Sequence, residues 1–544
     1  MKKIAVFLFC LFPVLSWADE EIAGKFWQRS ESSQELKGIL FLGSWDQVRK
    51  EPRHPVYAAI SNGVVLLDKN VKFLRQLGES YLGKEINEEL MEDLKCRVAQ
   101  FYKIKNQPFV AISIPRQQLS QGVLQVVVEE AKLGRVTTQG NQHYTPSQIR
   151  SYIRAKPGEP LDMTQLTQDL SRMNQNPFRR TDAILRAGKK ADLTDLELVT
   201  IDRWPYRIYA GADNTGTSPT DRDRIFFGFN FGKNIVKDGD ISYQFTCAPN
   251  WNLFYAHTLS CHIPTFKRQT LILFGGYSQV ELKPGSKADR STSWQIDARY
   301  RFPVITNSKF LQEILVGYDF KQVDSRIVSG GADINQFMIG YDLGQRGKLY
   351  RVSFTAELYG NPGGITTRNK AEDYQKLRYA AGPTYAYLKF SHALARKLAH
   401  DFWFSYDING QVATKNLLPS EQLTLAGYHA VRGFEERVVS VDNGVVVNTS
   451  LETPRISLGK SFGITKKTVD ELYFLLFFDS GWGGYHKTAP NTNSFVSLGS
   501  IGPGVRYQID RWLSAHLEYG FQLWDQGFEN PTQSRYNFGL TMSY

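Results

Sequence analysis

Two motifs hold the side chains best suited to a specific polar contact. Arg432 stands in a VRGF sequence within the long connection 415–443, and Asp479 stands in an FFDSG sequence after the unbroken apolar run Leu472 to Phe478. An aspartate at the end of such a run needs a partner if it points inward, and a guanidinium gives a carboxylate a directional, bidentate one. The sequence therefore indicates an Arg432–Asp479 contact. A solvated turn arginine and an aspartate at a water boundary are the alternatives.

The sequence does not indicate an enzyme active site or a metal site. A hydrolase would need a nucleophile, a histidine and a residue that orients it, but the histidines are scattered, and His257, His262 and His516 have no such companions. The sequence has neither a Cys/His cluster with zinc-ligand spacing nor a GxxxxGK[ST] phosphate loop. We therefore predict no catalytic residue, no cofactor and no metal site, and we expect a barrel enzyme to be the wrong class.

The cysteines do not indicate a disulfide framework. Beyond residue 18 they are Cys96, Cys247 and Cys261, and an odd number argues against a set of disulfides. Cys247 and Cys261 are predicted at opposite ends of one hairpin, so no bond is expected. Cys96 is expected to be a buried helix residue, as a lone cysteine usually is.

The N-terminus and the charge narrow the class of protein. Lys2 and Lys3 precede an apolar stretch and a small-x-small cleavage site, which predicts a signal peptide at 1–18. The net charge of +11 comes from dispersed Lys and Arg, which argues against nucleic acid as a partner. No later segment could be an apolar membrane helix, so an exported chain of this kind is soluble or a closed barrel.

The residues before 205 have mixed helix and strand patterns. Residues 19–37 form a weak amphipathic helix and residues 38–60, with two prolines, a linker. Two β-α-α-β-β units are then predicted at 61–131 and 132–204, the second with a capping box at residues 145–148. Because both units repeat a glycine–helix junction, a repeat is favoured over two unrelated small domains.

From residue 205 to 544 the pattern changes to strands with alternating apolar residues. Ile225, Phe227 and Phe229, for example, share one face of a strand, and no helical period interrupts this part of the chain. Such alternation over strands of about ten residues is typical of a transmembrane barrel wall. We count sixteen strands, which begin near Tyr206, Asp223, Ile241, Leu253, Thr270, Ser293, Phe310, Ile334, Leu349, Tyr374, Asp401, Val445, Leu472, Ser497, Trp512 and Arg535.

The combined features resemble the two-partner secretion transporters (TpsB; haemolysin secretion/activation proteins of the ShlB/FhaC/HecB type) within the BamA superfamily. The resemblance implies an all-β, 16-stranded transmembrane β-barrel at 205–544 with two N-terminal periplasmic α+β POTRA domains, at 61–131 and 132–204, in the cell outer membrane. Residues 19–37 would be a plug helix in the pore. The family often has tyrosine where Phe434 stands, and an aromatic ring is retained.

The resemblance also implies roles for single residues. The loop-tip motif would be Val431, Arg432, Gly433 and Phe434, and the barrel-wall motif Phe477, Asp479 and Gly481. Substrate recognition by the first POTRA domain would involve Pro115, Gln117 and Gly122.

The implied function is export. The chain would recognise an unfolded exoprotein of haemolysin, adhesin or toxin type in the periplasm and pass it through the barrel; activation of a haemolysin-type cargo is left open. Its other partners would be outer-membrane lipid and the barrel assembly machinery that inserts it. The alternative is a BamA-like assembly factor, but that group typically has more POTRA domains and lacks a plug helix.

Overall fold

The structure is a computed structural model. It describes residues 35–50, 58–60, 68–104, 110–189, 193–232, 239–265, 269–282, 290–306, 310–325, 330–461, 469–530 and 534–544. The predicted signal peptide lies outside the described residues, as does the predicted plug helix up to residue 34. None of the helices described is long and apolar enough to cross a membrane.

The chain divides into two compact units. One contains the described residues up to 135 together with 155–164 and 185–196. The other contains 136–154, 165–184 and 197–544.

The first unit is built on a mixed sheet covered by helices. In the described residues the sheet has the strand order β2-β1-β4-β3, and β1 runs parallel to β4. Its core contains Ile39, Phe41, Leu94 and Leu124, all fully buried. The elements in chain order are Gly38–Leu42 (β1), Ala58–Ile60 (β2), Asp68–Glu79 (α1), Glu88–Ile104 (α2), Val110–Ser113 (β3) and Val123–Glu130 (β4).

The prediction of a linker at residues 38–60 was wrong, because this stretch supplies the strands β1 and β2. Strand β1 is short and its residues are buried with little alternation. A strand covered on both faces shows an apolar run rather than a period of two, and five residues are too few to separate that run from an irregular segment.

Cys96 also differs from expectation. It lies on α2 but is exposed, because Leu90, Leu94 and Val98 place the buried face of the helix on the other side. Cys96, Cys247 and Cys261 are free thiols.

The next elements are Lys132–Gln139 (β5), Pro146–Arg150 (α3), Met163–Met173 (α4), Arg179–Ala187 (β6) and Leu193–Asp202 (β7). In the described part of the chain the strands form a sheet of order β5-β7-β6. The predicted capping box is present: the amide of Gln148 donates to Thr145 Oγ1 at 3.3 Å, and Gln148 Oε1 accepts from the amide of Thr145 at 2.9 Å.

Sixteen antiparallel strands close a barrel within the described residues, in agreement with the predicted fold class. They are Tyr206–Asp213 (β8), Arg224–Phe231 (β9), Asp240–Cys247 (β10), Phe254–Pro264 (β11), Thr270–Glu281 (β12), Arg290–Thr306 (β13), Phe310–Ser325 (β14), Gly330–Arg346 (β15), Tyr350–Asn361 (β16), Tyr385–Lys397 (β17), Trp403–Ala413 (β18), Asn443–Glu452 (β21), Asp470–Gly484 (β22), Phe495–Ile509 (β23), Leu513–Gln526 (β24) and Ser534–Ser543 (β25). Between β18 and β21, a short pair is formed by Leu423–Thr424 (β19) and Ser440–Val441 (β20).

Two features of this region were predicted wrongly. The tenth barrel strand begins at Tyr385, not near Tyr374, and the region contains the helices Ala371–Leu377 (α5) and Leu458–Ser461 (α6). Tyr374 is fully buried on α5, and its hydroxyl donates to the carbonyl of Asp333 at 2.9 Å. A buried tyrosine in a two-turn helix is difficult to distinguish from the first residue of a strand by pattern alone.

The alternation along the barrel strands separates an exposed outer face from the lumen. On β22, Phe474, Leu476 and Phe478 are exposed, while Phe477 and Asp479 are buried. Because neighbouring residues of a strand point to opposite faces, the buried set, Asp479 included, faces the lumen.

Candidate functional site

The connection between β18 and β21 is an ordered loop that packs inside the barrel. Its buried apolar side chains form one cluster with residues of β21 and β23, a contact that holds the loop against the inner wall. The cluster contains Leu425, Ala426, Ala430, Val431, Phe434, Val439 and Val441 of the loop with Val446, Val496 and Leu498 of the wall. The connection is therefore a structured part of the lumen.

Arg432 forms the centre of this contact. Its Nε and Nη2 donate to Asp479 Oδ2 and Oδ1 at 2.7 and 2.8 Å, and its Nη1 donates to Glu518 Oε2 at 2.8 Å. The backbone amide of Arg432 adds a bond to Asp479 at 3.2 Å. Arg432 is 7% exposed, and Asp479 and Glu518 are at most 1% exposed. The contact indicated by the sequence is present, and it involves a second acid.

The other residues of the two motifs make close packing possible. The Arg432 guanidinium lies 3.7 Å from the centre of the Phe477 ring, a cation–π contact. Gly433 has φ +93°, and a Cβ there would lie 2.8 Å from the carbonyl oxygen of Gly520 on β24. A Cβ on Gly481 would lie 3.1 Å from Val431. Each glycine thus permits the loop and the wall to approach more closely than larger residues would allow.

Phe434 anchors the apolar side of the tip. It is fully buried and its ring lies 6.2 Å from that of Phe528. The ring needs no polar partner in this environment, which a phenylalanine satisfies.

The sequence interpretation missed three residues of β24 and β23 that complete the site. Glu518 bridges Arg432 and Arg506, accepting from Arg506 Nη2 at 2.7 Å. Gln522 donates to the carbonyl of Gly433 at 2.7 Å. The available signal was that Glu518 and Gln522 lie on the polar, lumen-facing side of an alternating strand.

The three residues that the family resemblance assigns to substrate recognition have internal contacts. The Gln117 side chain bonds to the backbone of Gln125 as a residue of a paired strand would. It donates to the carbonyl of Gln125 at 2.9 Å and accepts from the amide of Gln125 at 2.8 Å. It also donates to the carbonyl of the buried Pro115. Gly122 has φ +68°, and a Cβ there would lie 2.7 Å from the carbonyl oxygen of Glu35. These residues shape the chain between β3 and β4.

Comparison with known proteins shows which transporters the chain resembles. The family model "Haemolysin secretion/activation protein ShlB/FhaC/HecB" matches residues 325–507, a stretch that contains both Arg432 and Asp479. The heme/hemopexin transporter protein HuxB of Haemophilus influenzae (strain 86-028NP) is 23% identical over 474 residues, which are 82% of this chain and 80% of HuxB. The outer membrane transporter CdiB of Dickeya dadantii (strain 3937) is 22% identical over 480 residues, 82% of this chain and 79% of that protein.

The chain is similar to the two-partner secretion transporters (TpsB). The solved structure of CdiB from Escherichia coli has the same fold, with a TM-score of 0.76 at 14% identity over 95% of this chain and 92% of CdiB. The similar proteins are outer-membrane transporters, which places this barrel in the outer membrane with the residues before it in the periplasm.

This location fixes the orientation of the barrel. Strand β8 follows the periplasmic part and runs outward, and strands alternate in direction, so β18 also runs outward. The loop that carries Arg432 is therefore an extracellular connection that folds back into the lumen. On the periplasmic side of its tip lies a cavity of about 1010 Å³, whose lining includes Tyr428, Arg432, Asn448 and Arg506.

Proposed function

We propose that this transporter exports an unfolded partner protein through its lumen, and that the loop centred on Arg432 blocks that route until it is displaced. The observation that carries the proposal is the contact of Arg432 with Asp479 and Glu518. A loop tip that enters from the outside and is bonded to two strands of the inner wall occupies the space that a passing chain needs.

The charged contact suits a reversible block. A buried guanidinium is well satisfied between two carboxylates, yet the net stability of such a group is small because desolvation offsets the attraction. Displacement of the tip away from the wall into water rehydrates Arg432, Asp479 and Glu518. The loop can therefore be held firmly in one position and still move.

Cargo recognition is proposed for the periplasmic part. Strand β3 is at one edge of its sheet, and an extended segment can add to a sheet edge through backbone hydrogen bonds. Pro115, Gln117 and Gly122 would contribute by fixing the chain that follows this edge.

The remaining partners are also part of the proposal. Exposed apolar residues such as Phe227, Leu517 and Met542 would contact outer-membrane lipid, and the barrel assembly machinery would insert the chain. Nucleic acid is not expected to bind. The driving force would be folding of the cargo outside the cell.

The cargo is proposed as a secreted exoprotein of haemolysin, adhesin or toxin type. The name of HuxB refers to heme and hemopexin, so an exoprotein that delivers heme is one specific candidate. Comparing secreted and periplasmic proteins in cells with and without the gene tests the proposal: one exoprotein should leave the medium and accumulate or be degraded in the periplasm. An unchanged secretome would contradict export, and reduced levels of many porins would favour the assembly-factor alternative.

A further inference from the structure

A second polar cluster holds the same loop at a different wall, around Glu421. The Glu421 side chain is 1% exposed. Its Oε1 accepts from Lys321 Nζ of β14 at 2.8 Å. Its Oε2 accepts from Gln336 Nε2 of β15 at 3.0 Å and from the Tyr387 hydroxyl of β17 at 2.7 Å. One loop carboxylate is thus bonded to three barrel strands.

The wall side of this cluster is ordered by its own bonds. Gln336 Nε2 also reaches Asp319 at 3.3 Å, and Gln336 Oε1 accepts from the Tyr385 hydroxyl at 3.1 Å. The loop residues Leu417 and Leu418 are buried in the apolar cluster that contains Tyr385 and Tyr387. The wall therefore offers a fixed receptor for one carboxylate rather than a flexible polar surface.

The two attachments divide the loop. Glu421 lies before β19, on the arm that enters the lumen, and Arg432 lies at the tip. Their wall partners are on β14, β15 and β17 in one case and on β22 and β24 in the other, with β18 and β21 between them in the barrel. If only the Arg432 contact breaks, the tip swings about an arm that Glu421 still holds inside the barrel.

We propose that Glu421 is a second anchor of the loop, a positioning residue whose release from Lys321 is needed to clear the lumen. This inference rests on the proposed function, in which the loop blocks the route. It predicts that weakening either anchor raises the fraction of time that the pore is open, and that weakening both raises it further.

Single-channel recording in planar lipid bilayers tests this without any cargo, on the purified full-length transporter and on the same transporter without residues 19–34 of the predicted plug helix. The variants are Glu421→Gln, Lys321→Gln, these two substitutions combined in a double variant, and Arg432→Gln. Lys415→Gln is the matched control because Lys415 is an exposed charge in the same loop. Heat-modifiability on gels selects variants whose barrel is folded.

We expect Glu421→Gln and Lys321→Gln each to raise the open fraction about tenfold, the ratio for losing one charged hydrogen bond. The double variant should open no more than either single variant, because both substitutions remove the same ion pair, whereas two independent packing defects would add. If Glu421→Gln and Lys321→Gln keep the native open fraction while Arg432→Gln raises it, the proposal of a second anchor is wrong and the blocking role of the loop still stands. Native-like opening of all of these variants overturns the proposal that the loop blocks the lumen.

Discussion

At the scale of single residues, the site is a buried charge cluster whose parts depend on one another. Arg432 donates hydrogen bonds to both carboxylate oxygens of Asp479 and to one oxygen of Glu518. Arg506 donates to the other oxygen of Glu518. Removing one partner of a buried ion pair leaves an uncompensated charge, which costs about 3–5 kcal/mol. The loop tip should therefore leave its position when Arg432 is lost.

We expect Arg432→Gln to release the loop tip and so to raise the rate of cargo secretion about tenfold, the ratio for losing one charged hydrogen bond. Arg432→Lys should be intermediate because a lysine keeps the charge and loses the bidentate geometry. Arg437→Gln is the matched control, since Arg437 is an exposed arginine of the same loop. The measurement is the cargo in the medium relative to that in the periplasm, at equal amounts of folded barrel. Equal export by Arg432→Gln and Arg437→Gln would show that the buried contact has no part in transport.

A steric change should displace the tip without altering any charge. A Cβ on Gly520 would lie 2.5 Å from Gly433 Cα and 2.6 Å from its nitrogen. We expect Gly520→Ala to raise pore opening as Arg432→Gln does. Gly275→Ala, on another barrel strand with open space around its Cβ, should behave as the native protein. Single-channel recording measures the open fraction of both variants. Equal open fractions would mean that the close approach of Gly433 and Gly520 is not needed to keep the pore closed.

At the scale of elements, the contact between α2 and β4 gives the first unit a pH dependence. The hydroxyl of Tyr102, fully buried on α2, donates to Glu130 Oε1 on β4 at 3.0 Å. Burial raises the pKa of Glu130 above its ordinary value of 4.5, and the Tyr102 bond opposes this shift. Glu130 Oε2 has no hydrogen-bond partner among the described residues. The fold thus favours the protonated form.

Because the pKa of the Glu130 carboxyl is raised in the folded state, the folded state loses stability as the pH rises. The stabilisation by Glu130 is complete below pH 4.5 and is lost as the pH rises through the higher pKa of the folded state. We expect Glu130→Gln to remove this loss, so that its β4 amides are better protected than the native ones at neutral pH and not at low pH. Hydrogen exchange in the full chain, corrected for intrinsic rates, measures this, with Glu129→Gln as control. If the protection of the β4 amides in Glu130→Gln changes with pH as it does in the native protein, the prediction is wrong.

The elements also show what could be predicted from the sequence. Barrel strands were predictable because lipid and lumen impose strict alternation, as in β22. Strand β1 was missed because burial on both faces removes the alternation, and α5 because its buried tyrosine mimics a strand start. Arg432 and Asp479 were identified together because each stands in a distinctive motif. Glu421 stands in none, and its partners come from three strands distant in sequence, so only the structure could reveal it.

At the scale of the whole molecule, the transporter is proposed to be a pore closed by its own extracellular loop. The loop enters from outside, is bonded to one wall through Glu421 and to another through Arg432, and leaves a cavity of about 1010 Å³ on the periplasmic side. Export then requires the loop to move while the strands keep the barrel closed. The central claim is that cargo cannot pass while the tip touches the wall.

A reversible crosslink between tip and wall tests this claim most directly. Val431→Cys with Gly481→Cys is suitable, because a Cβ on Gly481 would lie 3.1 Å from Val431 Cγ2, and disulfides need Cβ atoms about 3.5–4.5 Å apart. Cys96, Cys247 and Cys261 are first replaced by serine, and each single-cysteine variant is a control. We predict that cargo secretion stops when the crosslink forms and resumes when it is reduced. Undiminished secretion by the crosslinked transporter would contradict the account.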